Sequence, residues 1–305
     1  MNLNANNKLP NFLLVGGMRS GTTSMYYYLK NHPEIYMPEK KELWYFVSSY
    51  YINQNKSDPR YDEIRKHRIF NFDDYCQLYT DVRNEKAIGD ASTIYLYQHE
   101  LAIENIKKYL GQPKIIIGLR NPVELAYSLH SFLVKRNEET LNFEQALTEE
   151  KRRLEERWDR IWAIKDMGFY SKQVQAYLDN FEQVKIYLYD DLKRDTEKVV
   201  REIYEFLEID PDYIPYNIRL RYNESGYFIN KYLYRLLKRM RGKWGWRKIP
   251  ILYEKLLFSA ANWRAQKNKR KYSLDKNTKD HLQRIYKDDL LKLEKIIDRD
   301  LSMWM

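Results

Sequence analysis

Near the start of the chain, Gly16-Gly-Met-Arg-Ser-Gly-Thr-Thr-Ser24 gathers one fixed cation, Arg19, and four hydroxyls, Ser20, Thr22, Thr23 and Ser24, around its glycines. Four residues separate Gly16 from Gly21, the spacing of a nucleotide phosphate-binding loop. Such a loop in an NTPase carries a lysine after the second glycine to reach the terminal phosphates. Here that position is Thr22. Without the lysine, and with no obvious carboxylate partner for Mg²⁺, the stretch suits a 5′-phosphate bearing a small transferable group rather than triphosphate cleavage. Arg120, with Ser128 two helical turns later, offers a bidentate fork and a hydroxyl that can converge on one phosphate. Glu42, inside Lys41-Glu-Leu-Trp-Tyr-Phe46, sets an acid among aromatic residues.

Local pattern supplies the elements that must hold these residues. Phe12 to Val15 is a fully apolar run, the mark of a strand buried on both faces. Gly16 and Gly17 break it, and Thr22 to Lys30 reads as a helix ending at Asn31-His-Pro33. A strand, a glycine turn and a helix start present backbone N–H groups and a positive dipole end to an anion. Lys114 to Leu119 is the clearest strand and runs into Arg120. Asn121 is a good N-cap, Pro122 suits the first helical position, and Glu124 closes a capping box for a helix to about Arg136.

Elsewhere, Glu34 to Met37 reads as a short strand, residues 50–70 as a polar surface loop, and Lys86 to Asp90 as a core strand. Asn71 caps a helix through about Thr80, with Asp74 closing its box, and a helix from Gln98 to Leu110 ends at Gly111. Further helices are expected at Phe143 to Ile164, mostly as a solvated face, at Phe169 to Phe181 and at Asp195 to Leu207, with a strand at Val184 to Tyr189. Strands alternating with helices imply an α/β fold, a three-layer parallel sheet flanked by helices. Past Tyr213 the pattern is wholly helical, at about 228–241, 250–262 and 275–297. The expected organisation is a single domain over 1–305: an α/β core at 1–212 and a helical C-terminal extension at 213–305.

Composition narrows the classes. The chain has 305 residues, 15% of them aromatic, and one cysteine. A lone Cys76 excludes an intramolecular disulfide and points to a reducing, cytoplasmic compartment. No secretory signal is visible, and no window approaches the ~18–20 apolar residues of a membrane span. Of the net charge of +10, residues 231–271 carry 14 Lys and Arg against one acid, Glu254, so the rest of the chain sums to −3. That stretch reads first as a cationic surface toward an anionic cofactor or acceptor. Its mixture of cations and Trp also fits peripheral contact with the inner face of an anionic membrane, with nucleic acid a weaker fit. The five histidines (32, 67, 99, 130 and 281) show no ligand-like clustering, and no metal is expected.

The residues carry a resemblance. Gly17-Met-Arg-Ser-Gly-Thr-Thr-Ser24 resembles the 5′-phosphosulfate loop of sulfotransferases that use 3′-phosphoadenosine-5′-phosphosulfate (PAPS). Leu119-Arg-Asn-Pro-Val-Glu-Leu-Ala-Tyr-Ser128 resembles their 3′-phosphate-binding segment, and the two stand in the family's order. Lys41 to Phe46 is similar to the segment that holds the general base of heparan sulfate sulfotransferases. The resemblance implies a P-loop-like sheet and transfer of a sulfuryl group from PAPS to a hydroxyl, or second to an amine. The acceptor would be a glycan, a glycolipid or a small alcohol.

It also implies roles: Glu42 as base, Arg19 (where many relatives have Lys) on the bridging oxygen, Ser20, Gly21, Thr22, Thr23 and Ser24 on the 5′-phosphate, and Arg120 with Ser128 on the 3′-phosphate. Gly89-Asp-Ala-Ser-Thr-Ile-Tyr95 occupies the place of an acid-then-lysine motif. Asp90 matches the acid as a secondary candidate for base or acceptor contact, but Ala91 stands at the lysine, which weakens a heparan-like reading. Among Arg264, Lys267, Lys269 and Arg270, one or more would close over the nucleotide. The alternatives are a P-loop nucleotide or small-molecule kinase and a basic membrane- or nucleic-acid-binding module.

Overall fold

The computed structural model describes residues 8–220 and 275–305. Five strands, β1 (Phe12–Gly16), β2 (Ile35–Tyr36), β3 (Ala87–Ala91), β4 (Lys114–Leu119) and β5 (Val184–Leu188), form one sheet in the order β2-β3-β1-β4-β5. Every pairing is parallel, with Leu13 of β1 opposite Asp90 of β3 and Ile115 of β4. All five residues of β1 are buried, as its unbroken apolar run requires of a strand covered on both faces.

Helices α1 (Thr22–Lys30), α2 (Ser48–Ile52), α3 (Tyr61–His67), α4 (Phe72–Gln77), α5 (Ile94–Tyr97) and α6 (His99–Leu110) lie between the first strands and β4. Helices α7 (Pro122–Lys135), α8 (Phe143–Glu155), α9 (Tyr170–Asn180), α10 (Tyr189–Arg194) and α11 (Thr196–Phe206) follow, and a C-terminal helix spans Lys276–Ile297. One core layer joins Leu14 and Ile116 of the sheet to Met25 and Leu29 of α1 and to Val200 and Ile203 of α11. Each such side chain contributes roughly 1.5–3 kcal/mol by leaving water. The C-terminal helix packs on α9 and α7. Its Asp289 accepts from the Tyr170 N–H at 2.7 Å and the Ser171 N–H at 3.2 Å, capping the start of α9. The expected helices at 228–241 and 250–262 lie outside the described residues.

Three expectations are corrected. Residues 50–70 are not a polar surface loop: they include the end of α2 and the whole of α3, and Tyr51, Gln54, Asp58, Arg60 and Ile64 are buried. Arg60 pairs through Nε with Asp159 at 2.7 Å and through Nη1 with Glu138 at 2.6 Å. The helix expected to reach Ile164 stops at Glu155, because Asp159 is drawn fully inside to meet Arg60 and its own Oδ1 accepts from the Ile161 N–H. Neither expected capping box closes: Asn71 accepts only from Asp73 N–H and α4 ends at Gln77, while Glu124 turns to Arg120. Asn142 and Gln145 do form a reciprocal box at α8, one the sequence reading passed over.

Candidate active site

β1 connects toward β2 and β3 while β4 connects toward β5, so the crevice between the carboxyl ends of β1 and β4 is the sheet's topological switch point. Open α/β sheets take ligands there. The turn after β1 is tied to β4 by a hydrogen bond from Gly17 N–H to Gly118 O. Gly21 then sits at φ 81°, in the left-handed region, and a Cβ on it would lie 2.6 Å from Leu192 Cδ2 and 3.0 Å from Tyr189 Cδ2. Glycine is required twice over. As the N-cap of α1, Gly21 brings no capping side chain, and no acid stands in the first turn. The positive end of α1 therefore faces the crevice uncompensated by a carboxylate of its own. Ser20, Thr22 and Ser24 are buried beneath the turn, while Thr23 reaches its surface.

Arg19 joins the two anion-binding motifs. Its Nε donates to Ser128 Oγ at 3.0 Å, and its guanidinium lies 5.2 Å from the centre of the Phe132 ring. Its main-chain oxygen accepts from Arg120 Nη1 at 3.1 Å. Burial and the neighbouring Arg120 charge lower the Arg19 pKa to about 10, against an opposing contribution from Tyr189, so it remains a cation at neutral pH. Arg120 stacks 4.9 Å from the Tyr189 ring centre and directs Nε and Nη2 to Glu124 Oε2, at 3.1 and 2.8 Å. Glu124 is half-exposed, so the fork closes on an anion at the rim of the crevice.

Glu42 is held on the other flank by five residues, Ala91, Trp44, Thr93, Lys41 and Arg68. It takes φ 59° and Trp44 takes φ 63°, both left-handed without being glycine. Such backbone persists where surroundings over-determine it. Glu42 N–H donates to Ala91 O at 2.8 Å, and the Leu43 and Trp44 N–H groups both donate to Ser92 Oγ, at 2.9 and 3.3 Å. The Glu42 carboxylate accepts from Thr93 N–H and Oγ1, each at 3.0 Å, and from Trp44 Nε1 at 3.1 Å, with about a fifth of the side chain exposed. Lys41 Nζ lies 3.5 Å from Glu42 Oε1 and donates to Thr23 Oγ1 at 3.0 Å. Arg68 donates to Glu42 O at 3.2 Å and stacks 3.9 Å from the Trp44 ring centre.

Asp90 lies under this loop. It is fully buried and accepts from Ser92 Oγ at 2.8 Å and from Tyr75 and Tyr95 hydroxyls at 3.1 Å each. Burial pushes its pKa up to about 7 against the pull of those three hydroxyls. It holds Ser92, whose Oγ in turn accepts from the Leu43 and Trp44 N–H groups of the Glu42 loop.

The crevice thus gathers Arg19, Ser20, Gly21, Thr22, Thr23, Ser24, Arg120 and Ser128, with Glu42 beside them across Lys41. The candidates Arg264, Lys267, Lys269 and Arg270 lie outside the described residues. Sequence reasoning missed Thr93, Ser92, Lys41, Arg68 and Tyr189. Thr93 and Ser92 stood in a segment already singled out for Asp90, but nothing local says that the Thr93 hydroxyl turns to Glu42 and that of Ser92 to the main chain after it. Among the described residues no three His, Cys, Asp or Glu side chains are grouped to hold a metal ion.

A sulfotransferase domain family model matches residues 9–231. A membrane-associated sulfotransferase of Dictyostelium discoideum, kil1, is 36% identical over 148 residues, 47% of this chain and 28% of that protein. The match spans little more than a quarter of that relative's length. Among solved structures, a sulfotransferase from Alicyclobacillus acidocaldarius superposes with a TM-score of 0.75 at 28% identity, over 97% of this chain and 99% of that one.

Proposed function

The chain belongs to the sulfotransferase family, and on that premise we propose that it transfers a sulfuryl group from PAPS to an acceptor hydroxyl. The observation that carries the reading is the 3.0 Å hydrogen bond between Arg19 and Ser128, which makes two anion cradles into one site. A nucleotide bearing phosphates at both ends of its ribose needs two such cradles side by side. The donor set fits it: cations and hydroxyls, a helix start, and a carboxylate in the Arg120 fork where a phosphate would exchange for it.

The donor, when bound, supplies an activated sulfuryl group on its 5′-phosphate. Ser20, Gly21, Thr22, Thr23 and Ser24, through main-chain N–H groups and hydroxyls, hold that 5′-phosphate end. Arg120 and Ser128 grip the 3′-phosphate. Arg19 places its charge beside the bridging oxygen as negative charge develops there. Glu42, held by Thr93 and Trp44, accepts the proton of the attacking hydroxyl. Positioning and electrostatics supply most of the acceleration, as in phosphoryl transfer.

A glycan or glycolipid is the preferred acceptor class, because the Glu42 segment resembles the carbohydrate enzymes. The basic stretch at 231–271 reads as a peripheral membrane contact on the cytoplasmic side, and the name of the Dictyostelium relative, a membrane-associated sulfotransferase, agrees with contact to a membrane. Among the described residues no helix is long and apolar enough to cross a membrane.

Titration calorimetry with adenosine 3′,5′-bisphosphate tests the donor. Binding is expected, and Arg120→Ala should weaken it about 10- to 100-fold, since hydrogen bonds to charged groups are worth about 1.5–3 kcal/mol. If ATP raises the melting temperature and the bisphosphate does not, a kinase reading replaces this one.

A further inference from the structure

Between the donor loop and Glu42 stands a second cation that the family resemblance did not single out. Lys41 donates 3.0 Å to Thr23 Oγ1, at the second position of α1, and its Nζ lies 3.5 Å from Glu42 Oε1. The chain brings it there from a different segment than the loop it touches. Arg19 turns the opposite way, its Nε to Ser128 and its guanidinium over Phe132, on the β4 side of the crevice. The cation at the junction of the α1 start and the Glu42 carboxylate is therefore Lys41. An ammonium carries three N–H donors, and these contacts occupy two. About a fifth of its side chain is exposed, enough for contact from the crevice. Burial draws the Lys41 pKa down, and the Glu42 carboxylate beside it draws it part of the way back.

We propose that Lys41 is a catalytic residue, its third ammonium N–H binding a non-bridging oxygen of the migrating sulfuryl group on the acceptor side. The inference rests on the sulfuryl-transfer reading above. In that step the acceptor oxygen bonds to sulfur and the bond from sulfur to the bridging oxygen breaks. The electron pair stays with the 5′-phosphate, and the acceptor proton passes to Glu42. Lys41 neither gains nor loses a proton. Through its third N–H it keeps hold of a sulfuryl oxygen while the sulfur moves from the side of Arg19 to that of Glu42. The two cations then divide the labour, one at the leaving oxygen and one at the group that travels.

Calorimetry with PAPS and with its desulfated product, on wild type, Lys41→Met and Lys41→Arg, separates this role from its rivals. Lys41→Met is expected to bind the desulfated nucleotide within about threefold of wild type, which also reports an intact fold, and to bind PAPS at least tenfold more weakly. Lys41→Arg should recover most of that difference. Equal weakening of both nucleotides would make Lys41 a phosphate ligand and overturn the proposal. Unchanged binding of both would leave it a strut between Thr23 and Glu42, and would overturn it too. If wild type binds neither nucleotide, the sulfuryl-transfer reading itself falls and takes this inference with it.

Discussion

Two knots of charge lie close enough for Arg68 to feel both, and they are built on opposite plans. In the first, Arg60 is clamped by Asp159 and Glu138, and each carboxylate oxygen of Asp58 and Asp159 accepts at least one hydrogen bond, from Arg60, Gln54, Trp162, Tyr51 or main-chain N–H groups. Arg60, Asp58 and Asp159 are buried, and burial raises the Asp159 pKa against the restraint of Arg60. In the second, Glu42 and Lys41 keep about a fifth of their side chains open, and the buried Nε of Arg68 has no hydrogen-bond partner. The first network is sealed from solvent, and the buried Gln54 Oε1, which has no hydrogen-bond partner, is sealed in with it. The second keeps part of its charge open to the crevice, on left-handed backbone at Glu42 and Trp44, and so has room for a ligand.

The sharpest way to break the contrast is Glu42→Gln. The amide keeps an oxygen for Thr93 and Trp44 but accepts no proton. Transfer of label from radiolabelled PAPS into acceptors of a cell extract is expected to fall about 10²- to 10⁴-fold. Affinity for the bisphosphate should stay within a few-fold and the melting temperature should hardly move. Transfer at the parent rate would remove Glu42 as the base.

Arg60→Met is the mirror experiment. It strands the buried Asp159 without its cation, while Glu138 keeps Arg136, and a broken buried pair costs about 3–5 kcal/mol, a large share of a domain's net stability. The urea midpoint should drop accordingly, with bisphosphate affinity of the folded protein unchanged within twofold. Lost binding at unchanged stability would mean that the two knots are one functional unit.

The smallest effect sharpens the comparison from below. With its folded pKa raised to about 7, Asp90 binds its proton more tightly in the native state than in the unfolded chain. Its contribution to stability is full below the ordinary carboxylate pKa and is lost as pH rises through about 7. Calorimetric melts from pH 5 to pH 8 should show Asp90→Asn losing a few degrees less than wild type over that range. Parallel curves would mean that Asp90 does not titrate there.

Much of this molecule is legible from local pattern. The helix expected at Thr22 to Lys30 and the strand at Lys114 to Leu119 are found with those bounds, and the parallel sheet follows from strands alternating with helices. The misses share a cause. Residues 50–70 look solvated because acids and bases dominate them, yet Asp58 and Arg60 go inside once Asp159, 99 residues beyond Arg60, arrives to pair. Lys41 looks like one more charge in a charged run until Thr23 meets it.

By itself the sequence determined which stretches are strands and helices, where glycine must turn the chain, and which residues offer an anion a fork, a hydroxyl or a helix start. Those depend on apolar period, φ preference and side-chain type, which act over a few neighbouring residues. Only the tertiary structure decided that Arg19 meets Ser128 across 109 positions, that Thr93 holds Glu42 across 51, and that Asp90 holds Ser92 beneath the Glu42 loop. Hydrogen bonds and desolvation depend on distance in space and on exclusion of water, and neither is set until the sheet has closed.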